Sequence, residues 1–339
     1  MESIFVLTHA DETGSSLTKA SLEAVTAGLD LAARLSAPLA IGIVAADSAV
    51  LAKGLPCEGA RLLGVSGEAF AQARYASDAA AVEALARAAK ATIVVAPGSS
   101  RFTRVAASVA HRLGGVIDTH ITALGETSLE ATRWFYRQRV EAVLSRDVRP
   151  WFLLIDAGTH AAFAGENGTA SIEPIAVVLP ALRTTVSGYR APAQDAQTIR
   201  PDAKLLLVAG AGWTKKQPDG QIHVAEAGEL ILGFLHATKA SLGSSKSLVD
   251  QGGEGNSVLP FLTHMNQIGQ TGATPRHAKG LSTCCHGEEP HVVGWRFIGD
   301  RRAISLDPNC GWARGKADVV YVADAFPVIA KLNVLLAAK

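Results

Sequence analysis

Short apolar-rich runs alternate with amphipathic stretches through the first half of the chain, and this alternation constrains the fold more than any other feature. The runs are IFVLTH from Ile4, LAIGIVA from Leu39 and TIVVAP from Thr92. Between them, Leu17 to Leu35 (LTKASLEAVTAGLDLAARL) and Asp78 to Lys90 place Ala and Leu at i, i+3, i+4, the spacing of one helical face. Strands that alternate with such helices predict a parallel sheet with helices packed on it.

After Val140 the pattern changes to extended pieces, WFLLID from Trp151 and IAVVLP from Ile175, and then to the polar stretch SGYRAPAQDAQTIRPDA. Pro, Gln and Asp there offer little to bury. A chain of 339 residues suits two cores. The reading is therefore an α/β protein of two domains: an N-terminal parallel-sheet, nucleotide-binding-like domain over 1–190, a linker over 191–200, and a C-terminal Rossmann-like domain over 201–339.

Lys and Arg number 32 against 31 Asp and Glu, a formal net charge of +1. That balance argues against a nucleic-acid partner, whose phosphates need a basic surplus. No apolar run reaches the ~18 residues of a membrane span, and MESIFVLTHA carries an acid where a secretory signal is basic, so we expect a cytoplasmic protein without membrane insertion. Cys57, Cys284, Cys285 and Cys310 form no C-x-x-C pair. They read as reduced thiols, with no metal site.

The second domain opens with KLLLVAGAGWTKK, a buried-type strand running into Gly210 and Gly212. A strand ending in glycine is where an open α/β sheet receives a phosphate-bearing ligand. Lys215 stands where a dinucleotide fingerprint has its third glycine. Further Gly-rich stretches follow: SLVDQGGEGNS, NQIGQTGATPRH and CCHGEEPHVVG. Their backbone amides can face an anion, and ordinary surface turns would have the same composition. Glu288 and Glu289 read as the acidic first turn of a helix.

In order, GSSKSLVDQG from Gly243, QIGQTGA from Gln267, CCHGEEPH from Cys284, ISLDP from Ile304 and ADVVYVAD from Ala317 resemble the flavin-site motifs of electron transfer flavoprotein alpha subunits. The resemblance extends more weakly over the N-terminal half, through the opening strand and APGSSRFTRVAASVAHRLGG. It implies that the C-terminal domain holds most of an FAD, while the N-terminal domain packs on a smaller beta subunit that carries AMP. Carried over by position, it implies that Thr271 lies near the flavin N5 and His291 near the pyrimidine edge, with Gln270 and Gly272 shaping the same loop. A donating or positive group at that edge would stabilise an anionic flavin. Around the pyrophosphate it implies Ser245, the backbone of Gly210 and Gly212, and a helix starting near Gly287; toward the ribose and adenine it implies Ser305 and Asp318. Lys246, Asp250, Gln267, Gly269, His286 and Asp307 complete the cofactor-binding candidates.

The chain departs from these motifs in places. Lys246 replaces the family arginine that lies over the flavin ring, and an ammonium does not stack as a guanidinium does. Ala211 replaces an arginine, Ala273 a lysine, His286 a serine and Ser305 an asparagine. The function the resemblance implies is a redox shuttle, taking electrons from a flavin dehydrogenase and giving them to a quinone oxidoreductase, with no covalent chemistry for side chains. The alternative is a nucleotide-binding interaction subunit that has lost or altered its FAD. An NAD-linked dehydrogenase would need a complete G-x-G-x-x-G and a placed catalytic base, and the sequence offers neither.

Overall fold

The computed structural model describes residues 2–55, 59–126, 129–135, 140–165, 171–188, 199–200, 203–251, 257–269, 276–284 and 298–338. It divides into two compact units, Met1–Tyr189 and Arg190–Lys339.

The first unit runs β1 (Ile4–His9), α1 (Lys19–Leu35), β2 (Leu39–Ala45), α2 (Ser48–Ala52), β3 (Ala60–Ser66), α3 (Tyr75–Ala88), β4 (Ile93–Pro97) and α4 (Ser100–Arg112). It continues with β5 (Val116–Leu124), β6 (Ala131–Phe135), β7 (Val140–Leu144), β8 (Trp151–Ile155) and β9 (Ile172–Pro174). The sheet order is β7-β6-β5-β8-β4-β1-β2-β3-β9, with only the β5-β6 and β6-β7 pairs antiparallel. Every residue of β1, β2, β4 and β8 is buried, as a strand covered on both faces requires. The strand period of two divides their side chains. Ile4, Val6, Ile41 and Ile43 pack with Ala24, Val25 and Leu31 of α1. Phe5, Leu7 and Val44 pack with Val82 and Leu85 of α3 and Phe102 and Val109 of α4.

The two predicted helices form within a few residues of their expected limits. Thr18 starts α1, its hydroxyl accepting from Ser21 N at 3.1 Å. The extended piece expected from Ile175 is not a strand. Pairing with β3 instead occurs over Ile172–Pro174, and after Ile175 N donates to Gly64 O at 2.8 Å residues 175–180 carry no regular structure. Ile175 and Val177 still pack on the core beneath α3 and α4, while Val178 is exposed. The apolar residues signalled packing there, and hydrogen-bonded pairing did not follow.

The second unit contains β10 (Leu205–Ala209), α5 (Val224–Thr238), β11 (Ser241–Ser244), α6 (Lys246–Asp250), β12 (His277–Cys284), β13 (Ile298–Ser305), α7 (Gly311–Lys316), β14 (Val319–Val322) and α8 (Ala325–Ala337). Its sheet order is β11-β10-β12-β13-β14, and every pair is parallel. Leu207, Leu242 and Ile304 pack under α5 and α8 through Ile231, Phe234, Phe326 and Ile329. On the opposite face Leu206, Val208, Ile298 and Ala303 pack with Ala313 of α7. The first strand lies inside the sheet, with the second on one side of it and the third to fifth on the other. This is the doubly wound α/β architecture expected of the second half.

Candidate functional site

Because the strands of the second sheet are parallel, the loops that follow them gather along one edge. Ligands of open α/β sheets bind at that carboxyl edge, where chain order reverses. The reversal here falls between β10 and β12, and the protein's own atoms join the two strands at that point. Gly210 N donates to Thr283 O at 3.1 Å. The buried indole of Trp213 donates Nε1 to Thr283 Oγ1 at 2.7 Å, and that hydroxyl donates to Val208 O at 3.0 Å. The Trp213 and Phe326 ring centres lie 4.6 Å apart, which fixes the turn Ala211–Thr214 against α8.

At the end of β11, Ser244 and Ser245 are both fully buried. Ser245 accepts from Leu248 N at 3.2 Å and caps α6. The Ser244 hydroxyl finds no partner among the described residues, a costly state for a buried polar group. Gln267 bridges in parallel to Ser244, and Ile268 N donates to Ser244 O at 3.2 Å. Gly269 follows at φ +75°, the left-handed conformation that glycine adopts without steric cost. Lys246 and Asp250 form an ion pair across one turn of α6, and His264 Nε2 lies 2.9 Å from the other Asp250 oxygen. These two bonds, Lys246 first, hold the Asp250 carboxyl below the usual aspartate range.

The first unit has a second polar cluster, at the carboxyl ends of β1 and β4, where its own chain order reverses. His9 Nδ1 donates to Ala10 O at 2.7 Å, which leaves Nε2 to accept from Ser99 Oγ at 2.9 Å. Burial pushes this imidazole down to about 4, so it is neutral at pH 7. The Ser99 hydroxyl, engaged by His9, does not cap α4. Arg101, also buried, donates to both Asp78 oxygens and to Phe70 O at 2.7 Å. A cavity of about 280 Å³ opens beside them, lined by His9, Asp11, Glu12, Ser100, Arg101 and Arg104.

Residues 6–181, more than half of the 339, match the model of the electron transfer flavoprotein domain. The chain belongs to the electron transfer flavoprotein family. No curated protein matches the chain. The electron transfer flavoprotein match lies wholly within the first unit. The motifs that resemble a flavin site all follow it in sequence, so the two observations are independent.

Of the candidates in this family member, Gly210, Gly212, Ser245, Lys246, Asp250, Gln267, Gly269, Ser305 and Asp307 come to the carboxyl edge of the second sheet. Several are already engaged there. The Gly210 amide has Thr283 as its acceptor. Gly212 O accepts from Gln217 Nε2 at 3.0 Å. Ser305, fully buried, donates to Asp307 O at 3.3 Å, and Asp307 accepts from Asn309 N at 2.8 Å. Asp318 is not among them. It precedes β14 at the amino end of that strand, where its carboxylate accepts from Arg301 N at 2.7 Å and Arg301 Nη2 at 3.1 Å. The acid of that motif which does reach the carboxyl edge is Asp324, which caps α8 by accepting from Phe326 N at 2.9 Å. Sequence could have found it: an acid between a strand and an apolar helix is an N-cap signature. Trp213, Ser244, His264 and Thr283 carried no such signal. Gln270, Thr271, Gly272, His286, Gly287 and His291 lie outside the described residues.

Proposed function

We propose that this chain is the larger, alpha subunit of an electron transfer flavoprotein, carrying FAD on the carboxyl edge of its second sheet. The observation that carries the reading is the convergence there of loops separated in sequence, those after β10, β11 and β13. They hold most of the described flavin-motif residues, in a chain whose first unit independently matches the family. The edge fits the group: the buried Ser244 hydroxyl is left open beside Gln267 and the left-handed Gly269. Lys246, exposed on the first turn of α6, supplies a cation at the same edge.

Bound there, FAD supplies the electron-accepting chemistry. The protein's part is to bind and orient it. The Trp213–Thr283 plug keeps the β10–β12 crevice filled, which leaves the outer loops to meet the ligand. Lys246 offers charge to an anionic ring, shared with Asp250. Electrons come from a flavin dehydrogenase and leave to a quinone-reducing acceptor, the chain acting as a carrier with no substrate chemistry of its own. Residues 1–190 pack on a smaller subunit that holds AMP. Exposed Phe135 and Val140, which pair directly across the β6–β7 hairpin and so share one face, support such a contact, since neighbouring exposed apolar groups favour association. No helix among the described residues is long and apolar enough to cross a membrane, and a cytoplasmic setting suits this role.

A second reading, a nucleotide-binding interaction subunit without FAD, draws on the internal partners of the Gly210 amide and the Ser245 hydroxyl. Purification of the native complex, followed by absorbance spectroscopy and sizing, separates the two. Flavin bands with a smaller subunit co-eluting are expected. A complex that elutes without flavin absorbance favours the second reading, and a flavin-loaded monomer removes the partner.

A further inference from the structure

The polar groups at the end of β11 form a chain that ends on His264. This residue opens the 3-10 turn His264–Asn266, which a capping box fixes: Thr263 N donates to Asn266 Oδ1 at 3.1 Å, and the Thr263 hydroxyl accepts from Met265 N at 3.2 Å. Asn266, buried, donates Nδ2 to Leu242 O at 3.2 Å and ties the turn to β11. The His264 ring is therefore held at the mouth of the edge, with Nε2 2.9 Å from Asp250 Oδ1. The other Asp250 oxygen takes Lys246. Among the described residues, the charged groups facing this imidazole are Asp250 and Lys246, both from α6. The turn after β10 packs on the same helix through Thr214, whose hydroxyl donates to Gln251, and ends at Lys215.

We infer that His264 is a positioning residue for the flavin, setting how much of the Lys246 charge the ring senses. The inference rests on the FAD reading above. With neutral imidazole, Lys246 and Asp250 cancel and the trio carries no net charge. With imidazolium, Asp250 is shared between two cations and the trio carries one positive charge, which favours a reduced, anionic flavin. The site is partly exposed, with Lys246 at 62% and Asp250 at 28% side-chain accessibility, so water and salt moderate the effect.

The test compares the intact complex with its His264→Gln and Lys246→Met variants. Gln keeps a donor for Asp250 and cannot titrate. Spectroelectrochemistry from pH 5.5 to 8 reads the first reduction potential. On acidification, wild type should gain about threefold in relative affinity for reduced over oxidised FAD beyond the gain of His264→Gln, which is about 30 mV for one electron. Identical pH profiles in the two proteins, with FAD bound to both, would overturn the role of His264 and leave the FAD reading standing. A wild-type complex that holds no flavin fails the FAD reading itself. The trio is then read in the same protein by the carboxyl ¹³C titration of Asp250. His264→Gln should move it up toward the ordinary aspartate range, and Lys246→Met should move it further. An Asp250 titration unmoved by His264→Gln overturns the linkage without reference to flavin.

Discussion

At the residue scale, two side chains carry most of the electrostatic argument. Lys246 was visible in the sequence as a departure from an arginine, but His264, which shares Asp250 with it, was not, because His264 and Asp250 meet only when the turn at 264–266 folds back on α6. Lys246→Met should lower the first reduction potential of bound FAD. The shift should stay below the 59 mV of a tenfold change, because Asp250 already offsets the ammonium. An unchanged potential would place the lysine outside the flavin's field. His9 gives a prediction about stability. Burial on folding pushes its pKa down from the ordinary 6.5 to about 4, so the unfolded chain binds the extra proton between those values. Stability is therefore full above about pH 6.5 and is lost as pH falls toward 4, by about 3 kcal/mol. Urea unfolding at pH 7 and pH 4 should show that much more loss in wild type than in His9→Gln.

At the element scale, the helices of the first unit are placed by close approaches. Gly28 of α1 lies where an added Cβ would be 2.1 Å from Val6 Cγ2 and 3.6 Å from Val6 Cβ. Gly28→Ala should cost about 1–3 kcal/mol by overpacking. In Val6→Ala/Gly28→Ala the 2.1 Å clash is removed and ordinary contacts remain, at 3.6 Å to Val6 Cβ and 4.0 Å to Leu39 Cδ1, so the double variant should be more stable than the sum of the single losses predicts. Chemical denaturation of the four proteins measures this coupling. Between α3 and α4, Arg101 and Asp78 pair with side-chain accessibilities of 6% and 1%. Arg101→Met leaves a buried carboxylate without its cation, and unfolding should be easier by about 3–5 kcal/mol. The strands β1, β2 and β4 were legible because burial on both faces makes a strand apolar throughout. The hairpin β6–β7 was not, because at a solvated sheet edge its apolar and charged residues mix.

At the scale of the whole molecule, the alternation of apolar runs and helices in the first half, and the order of Gly-rich motifs in the second, made the α/β class legible. The match to the electron transfer flavoprotein domain supports that reading from the first unit alone. What the motifs could not convey was which of their residues face outward. The Gly210 amide is taken by Thr283 O, the Ser245 hydroxyl caps its own helix and the Ser305 hydroxyl donates within its own loop, while Asp318 belongs to the opposite edge. Motif position fixes a residue along the chain, while hydrogen bonding decides whether its donors remain for a ligand. The central claim is that FAD lies on the carboxyl edge of the second sheet. Hydrogen exchange read by mass spectrometry, on the intact complex with FAD and after FAD is stripped, tests it most directly. Added protection is expected over 211–215, 244–251 and 263–269, with the amino-edge residues near Asp318 unchanged. Protection confined to the first unit, or to the amino edge of the second sheet, would contradict it.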